Sequence, residues 1–292
     1  MRKPEWLRVH PKFSPNYNSI LRDLSEHGLY TVCQGARCPN QGACWDSGTA
    51  TFMLMGHVCT RHCSFCSVRT GSKGEPLNSK EPASLAKVAT KWGLKYAVLT
   101  SVDRDDLPDA GAGHFASCIK SVRAAGIPVE ALIPDFGADE KRLTMISSAR
   151  PNVVAHNIEV VARLAPKMRD RRAGYGTSLA VLKKLKEIDP NLYTKSGIMV
   201  GVGETQDEVE EAMDDLRSAG TDFLTIGQYL QPTKENAEVA EYVHPSKFEE
   251  YERVGIEKGF RYVASGPFVR SSYKAAEFYF KLENEAGSIT RR

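Results

Sequence analysis

The chain has 292 residues, 41% of them hydrophobic and 26% charged, which is enough for one large core and does not require a second. Its 39 basic and 36 acidic residues leave a formal charge of +3, too even a balance to call for a nucleic-acid partner. No run of about 18 apolar residues occurs, and the opening MRKPEWLRV has neither a signal-peptide core nor a transit-peptide composition, so a soluble, cytoplasmic protein with no membrane partner is expected.

Residues 1–48 precede the first strand-like stretch and are expected to wrap the fold as an N-terminal extension. Apolar and β-branched runs then predict strands over Thr51–Met55, Tyr96–Ser101, Val129–Ile133, Val153–His156, Ser196–Val200 and Phe223–Tyr229, with helical patterning between them. His114–Ala125 reads as one helix. Thr205 and Glu208 form a capping-box pattern, after which Val209, Ala212, Met213 and Leu216 mark one helical face. Ser246 and Glu249 repeat the pattern, and Tyr262–Ala264 is a further extended segment ahead of SGPFVRSSY. The alternation predicts an α/β protein with parallel strands and right-handed crossovers: an incomplete parallel (β/α)6 TIM-like barrel over 49–232, closed by a C-terminal helix and extension over 233–292. A doubly wound open sheet is the competing architecture, weakened because no glycine-rich dinucleotide loop follows the first strand. No internal repeat or low-complexity tract is present.

Seven cysteines, six of them between Cys33 and Cys66, form an odd set in a chain without a secretory signal, which argues against a disulfide framework. Cys59, Cys63 and Cys66 lie in CTRHCSFC, directly after the strand-like TATFMLMG. That is the C-terminal end of the first strand, where barrel enzymes carry their chemistry. Soft thiolates at short spacing suit an iron-sulfur cube, and three ligands leave one of its irons open. The competing reading is a structural zinc with His57 or His62 as fourth ligand, although zinc ligands more often come as two separated pairs. Cys33, Cys38 and Cys44 form a second triad, C-x4-C-x5-C, among Gly35, Pro39 and Gly42, residues that let a backbone fold closely around an inorganic core. It reads as a second cluster site; the alternative is three free thiols in a flexible arm.

The C-x3-C-x2-C spacing, with Phe65 before the last cysteine, resembles the signature of the radical S-adenosylmethionine (SAM) superfamily. That resemblance implies a cube whose open iron is chelated by the amino and carboxylate groups of SAM, and one-electron cleavage of the sulfonium to a 5'-deoxyadenosyl radical. Both triads, together with KPEWLR, TSVDRDDLPDAGAGHF, HNIEVV, KSGIMVGVGET, LTIGQYLQPT and VASGPFVRSSY, are similar to the lipoyl synthase family over nearly the whole chain. The resemblance implies two 4Fe-4S clusters: Cys59, Cys63 and Cys66 on the SAM-bearing one, and Cys33, Cys38, Cys44 and Ser272 on an auxiliary one. A serine oxygen is a harder and less tenacious ligand than thiolate, which suits a cluster that is consumed, with Arg270 helping Ser272 depart.

The implied reaction inserts sulfur at C6 and C8 of an octanoyl-lysine on a lipoyl carrier domain, of the H protein or 2-oxoacid dehydrogenase E2 type. An electron donor such as ferredoxin or flavodoxin and an iron-sulfur carrier for cluster repair are implied partners. Ser101 and Asp103 in TSVDRDD fall where the superfamily contacts the amino group of SAM, and Asn157 and Glu159 fall where the ribose is reached; the bland alternative is that all four cap helices or pair with basic neighbours. Lys195, Gly201, Gly203 and Glu204 flank the fifth strand, where the glycines admit a ligand, and Gln228, Tyr229 and Gln231 close the sixth. Cys118, His114 and His156 each stand alone and read as core. Arg163, Lys167, Arg169, Arg171 and Arg172 read as a solvated basic face, or alternatively as a surface steering an acidic carrier. Two rival functions remain. A biotin synthase-like sulfur insertion has no use for the RSSY ending, and a two-cluster electron carrier needs neither a SAM pocket nor a large barrel.

Overall fold

In the computed structural model, which describes residues 2–8, 17–35, 38, 40–46, 49–273, 275–277 and 279–281, the chain enters through helix α1 (Tyr17–His27) and strand β1 (Tyr30–Thr31). Short helices α2 (Val32–Gly35) and α3 (Gln41–Asp46) lead to β2 (Thr49–Leu54), on which β1 pairs antiparallel. A ribbon, β3 (Val58–Cys59) and β4 (Arg69–Thr70), brackets the second cysteine triad. Helix and strand then alternate: α4 (Glu81–Lys91), β5 (Tyr96–Ser101), α5 (Ala112–Ala124), β6 (Val129–Leu132), α6 (Glu140–Ser148) and β7 (Val153–Ala155). The run continues through α7 (Ala165–Met168), α8 (Tyr175–Ile188), β8 (Tyr193–Val200), α9 (Gln206–Ser218), β9 (Phe223–Gln228), α10 (Pro245–Glu257) and β10 (Tyr262–Gly266). The main sheet has the order β1-β2-β5-β6-β7-β8-β9-β10, and every neighbour pair beyond β1 is parallel.

All six strands expected from the sequence are present, and β10 adds a seventh parallel strand, in register with β9 from Tyr262↔Phe223 to Gly266↔Gly227. The short segment carries little periodicity of its own; an adjoining strand end supplies the hydrogen bonds that make it a strand. The Thr205–Glu208 capping box forms in both directions. The Ser246–Glu249 box does not cap its helix. Pro245, whose fixed φ suits the first helical position, starts α10 one step earlier, and the His244 ring nitrogen accepts the Ser246 N–H at 3.3 Å. Parts of both expected extensions, and Pro39 within the first triad, lie outside the described residues. No helix among the described residues is long and apolar enough to cross a membrane.

Strands β5 and β9 are buried along almost their whole length, as a parallel sheet covered by helices requires. Phe52, Leu99, Phe115 and Ile119 anchor one apolar cluster, and Ile198, Met213, Leu224 and Phe248 anchor another. Into this interior the fold places an ion pair: Lys195 Nζ donates to both Glu130 oxygens at 2.8 and 3.1 Å, and the Tyr96 hydroxyl reaches the same carboxylate at 3.4 Å. Lys195, expected to flank a strand that begins at Ser196, lies inside β8, which begins at Tyr193, and its side chain is buried in the sheet interior away from the cavity.

Because a buried ammonium without its carboxylate is strongly unfavourable, Glu130→Leu is expected to lower the unfolding free energy by about 3–5 kcal/mol in a denaturant titration, with most of it recovered in Glu130→Leu/Lys195→Met.

Candidate active site

The C-x3-C-x2-C loop leaves β3 at Cys59 and is held from several sides by backbone bonds. Thr60 N–H donates to the Asp103 carbonyl at 3.0 Å, Ser64 N–H to Met168 at 2.9 Å, and the Asn236 amide to the Ser64 and Cys66 carbonyls at 3.2 and 2.9 Å. Backbone donors also face the sulfurs: Arg61 and Asp103 N–H each lie 3.4 Å from Cys59 Sγ, and Asp170 N–H lies 3.3 Å from Cys63 Sγ. Burial nevertheless pushes the thiols up, Cys59 to about 12 and Cys63 to about 11. Left to themselves these groups stay protonated. A bound cation is what converts them to thiolates.

The three sulfurs border a cavity of about 350 Å³, within the roughly 300–1,000 Å³ range of small-ligand sites. Cys33 and Cys38 reach it from the N-terminal segment, and Arg270 and Ser272 from the chain after β10. This convergence is built by long-range contacts. The Thr51 hydroxyl donates to Ser272 Oγ at 2.8 Å, the Asn157 amide to Ser271 Oγ at 2.7 Å, and the Asn40 amide to the Phe268 carbonyl at 2.7 Å. Gly227 makes room for the C-terminal segment, since a Cβ there would overlap the Val269 carbonyl oxygen. Cys44, on α3, does not border the cavity. Burial and the neighbouring Cys38 push the Cys33 thiol up to about 12 and the Cys44 thiol to about 11, so the three sulfurs feel one another. Burial also lowers the proton affinity of Arg270, a loss that Cys38 partly offsets.

The donor set fits iron-sulfur clusters better than a single zinc. A tetrahedral zinc at about 2.3 Å from each sulfur needs the sulfurs roughly 4 Å apart. Among the described residues, the group of three ligand atoms lying within 4.8 Å of one another is Glu81, His114 and Cys118; neither cysteine triad is drawn in so tightly. That Glu81 group lies away from the cavity. His114 Nε2 sits 2.6 Å from Glu81, whose carboxylate accepts the Met55 N–H at 3.1 Å, so His114 is paired rather than solitary and helps pin the turn after β2.

Ser101, Asp103, Asn157 and Glu159 all border the cavity. Ser101 Oγ and Asn157 Oδ1 are buried there with no hydrogen-bond partner, the unmet capacity that a polar ligand satisfies. Burial pushes Asp103 up to about 6 against the pull of Arg61, and raises Glu159 as well. Glu159 is held at φ 68°, its N–H on Gly197 at 3.1 Å and its carbonyl accepting from Met199 at 2.7 Å.

Other cavity residues carry little sequence signal. Arg61 and Asp135 lie in different loops, and no local pattern pairs them. His156 is not alone: Nδ1 meets the Ile133 carbonyl at 2.9 Å and Nε2 the Ser178 hydroxyl at 2.8 Å. Arg169, expected on a solvated face, is buried in the cavity wall and donates to the same Ser178 hydroxyl at 2.8 Å; only its neighbours Arg163, Lys167, Arg171 and Arg172 are exposed. Gly201, at φ 92°, makes room for the chain itself, because a Cβ would overlap the Glu241 carbonyl. Glu204 accepts the Val202 N–H at 2.9 Å, and Gln228, Tyr229 and Gln231 donate to the carbonyls of Glu241, Ala237 and Asn236. Like Gly203, these residues stay out of the cavity wall; Glu204 closes its own turn, and the other three bind the returning chain.

A parallel α/β sheet with a C-x3-C-x2-C loop at its ligand end defines a radical SAM protein, and residues 53–216 match the Radical SAM superfamily model. The solved methylornithine synthase shares this fold with a TM-score of 0.58 at 15% identity, over 84% of this chain and 74% of that one. The chain is 52% identical to the lipoyl synthase of Anaeromyxobacter sp. (strain Fw109-5), over 97% of its own length and 96% of the relative's. Against the mitochondrial lipoyl synthase of Drosophila mojavensis the identity is 51%, over 99% and 82%. The chain belongs to the lipoyl synthase family.

Burial pushes His156 down to about 4, below the ordinary value near 6.5, so the unfolded chain binds the extra proton first. The stability this represents is complete above about pH 6.5 and is lost as pH falls toward 4. Between about pH 7.5 and pH 5, His156→Gln should lose about 2 kcal/mol less unfolding free energy than the parent protein, measured by denaturant titration at each pH.

Proposed function

We propose that this chain inserts sulfur at C6 and C8 of an octanoyl group held on a lysine of a lipoyl carrier domain, an H protein or a 2-oxoacid dehydrogenase E2. The observation that supports this most strongly is that Cys59, Cys63 and Cys66, two cysteines of the first triad, Cys33 and Cys38, and residues 270–272 of the RSSY segment all border one cavity. In this reading Cys59, Cys63 and Cys66 hold the cluster that SAM completes, and Cys33, Cys38, Cys44 and Ser272 hold the auxiliary cluster. SAM and the two clusters supply a one-electron route to a carbon radical at a C–H bond too weakly acidic for any side-chain base, and the sulfur that joins it.

The chain's own residues provide binding and orientation. Asp103 accepts from the amino group of SAM, and Ser101 and Asn157 offer their unpartnered oxygens, with Glu159 beside the ribose. Phe65, Val102, Leu132 and Ile133 give the cavity an apolar flank, along which the acyl chain lies between the triads with stray hydrogen donors excluded. Ser272 would be the oxygen ligand of the auxiliary cluster; the Thr51 hydroxyl, which donates to Ser272 Oγ, would favour its deprotonated form, and the Arg270 guanidinium at the same cavity would favour its release. In this reading the strands of 49–232 form an incomplete barrel, with β1 and β10, from the described parts of the flanking segments, at the two ends of the strand order. A cytoplasmic setting, an electron donor such as ferredoxin or flavodoxin, and an iron-sulfur carrier complete the proposal.

Cys63→Ala is expected to abolish formation of 5'-deoxyadenosine from SAM, whereas Cys38→Ala retains cleavage yet makes no lipoyl product from an octanoylated peptide. Insertion of both sulfurs by Cys38→Ala would remove the sacrificial role from the first triad. Ser272→Ala should loosen iron from the auxiliary site on chelator challenge, and Ser272→Cys should hold it more firmly and slow product formation.

A further inference from the structure

Arg61, between Cys59 and Cys63, is buried, and its guanidinium is shared among three carboxylates. Along one edge, Nε and Nη2 donate to the two oxygens of Asp105 at 3.0 and 2.9 Å. Along the other, Nη1 and Nη2 meet the two oxygens of Asp135, the second at 2.9 Å. Nε also lies 3.4 Å from Asp103 Oδ1, while Asp103 Oδ2 lies 3.7 Å from Cys59 Sγ. Asp103 and Asp105 follow β5, and Asp135 follows β6 and accepts the Gly137 N–H at 2.8 Å. Thr60 reinforces the join, its hydroxyl donating to Asp105 at 2.8 Å and to the Asp103 carbonyl at 3.0 Å. One side chain thus bolts the cysteine loop to the loops after two neighbouring strands.

We propose that Arg61 is a positioning residue: it holds Asp103 with one oxygen turned inward and the other facing the cavity beside Cys59, and so sets the affinity for the amino group of SAM. This rests on the functional reading above. The planar fork is essential to the device, because two bidentate edges need several N–H groups in fixed directions, and a lysine offers only a point charge. Without the fork, three carboxylates converge and Asp103 turns away from its neighbours. The three cysteine ligands are untouched by the change, so cluster assembly survives and SAM recognition suffers.

The test uses anaerobically reconstituted protein and compares Arg61→Lys, Arg61→Gln and the near-isosteric Asp135→Asn with the parent. The readouts are iron and sulfide content, the change SAM induces in the EPR spectrum of the reduced protein, and KM and kcat for 5'-deoxyadenosine formation. All three variants are expected to keep the parent's iron content while KM for SAM rises about tenfold or more, with a weaker EPR response at equal SAM and a smaller change in kcat. Asp135→Asn should show the milder effect. Parent-like KM and EPR response in Arg61→Lys and Asp135→Asn would overturn the proposal, as would loss of iron in Asp135→Asn. A parent protein that holds no iron would overturn the functional reading and this proposal with it, whereas a parent that holds iron beside variants of flat KM overturns this proposal alone.

Discussion

Everything at the ligand end of this sheet follows from burying cysteines where water cannot stabilise a thiolate. Desolvation drives Cys33, Cys44, Cys59 and Cys63 toward the protonated form, and backbone N–H groups on Cys59 and Cys63 offset only part of it. A cation with soft-ligand preference reverses that balance, so the site reaches its working chemistry only when loaded. Loading of the cysteines and ordering of the loops that carry them are then one equilibrium. The loops nearest the sulfurs have the most to gain.

Segments that precede and follow the sheet meet at this cavity. The first triad precedes the sheet and Ser272 follows its last strand, yet Asn40 bonds Phe268 and Thr51 bonds Ser272. Gly227 admits the crossing segment and β10 aims it. A chain that returns this way places Ser272 at the same cavity as Cys33 and Cys38, more than two hundred residues earlier.

What was legible in the sequence was local. Strand patterns located six of the main sheet's seven described parallel strands and an extended segment at the seventh, β10; the Thr205–Glu208 box located the start of α9, and the spacing of the cysteines located their loop, since each signal lies within a few residues. Resemblance, rather than spacing, singled out Ser272 and Arg270, because RSSY alone looks like any polar turn. Pairings across loops left no local trace. Arg61 with Asp135, Arg169 with Ser178, and Lys195 with Glu130 depend on which strands become neighbours, and each was either missed or assigned elsewhere. Gly201 misled for a related reason: its positive φ makes room for backbone returning from residue 241, not for a ligand.

In the proposed function, two separate iron-sulfur sites lie beside one cavity, and only the C-x3-C-x2-C site leaves an iron for SAM. Metal and sulfide analysis with EPR, on anaerobically reconstituted protein and on a Cys33→Ala/Cys38→Ala/Cys44→Ala variant, tests it most directly. About eight iron and eight sulfide per chain are expected, falling to about four of each in the variant, whose reduced spectrum still responds to SAM. Zinc in place of iron, or a SAM response that disappears with the first triad, would contradict it.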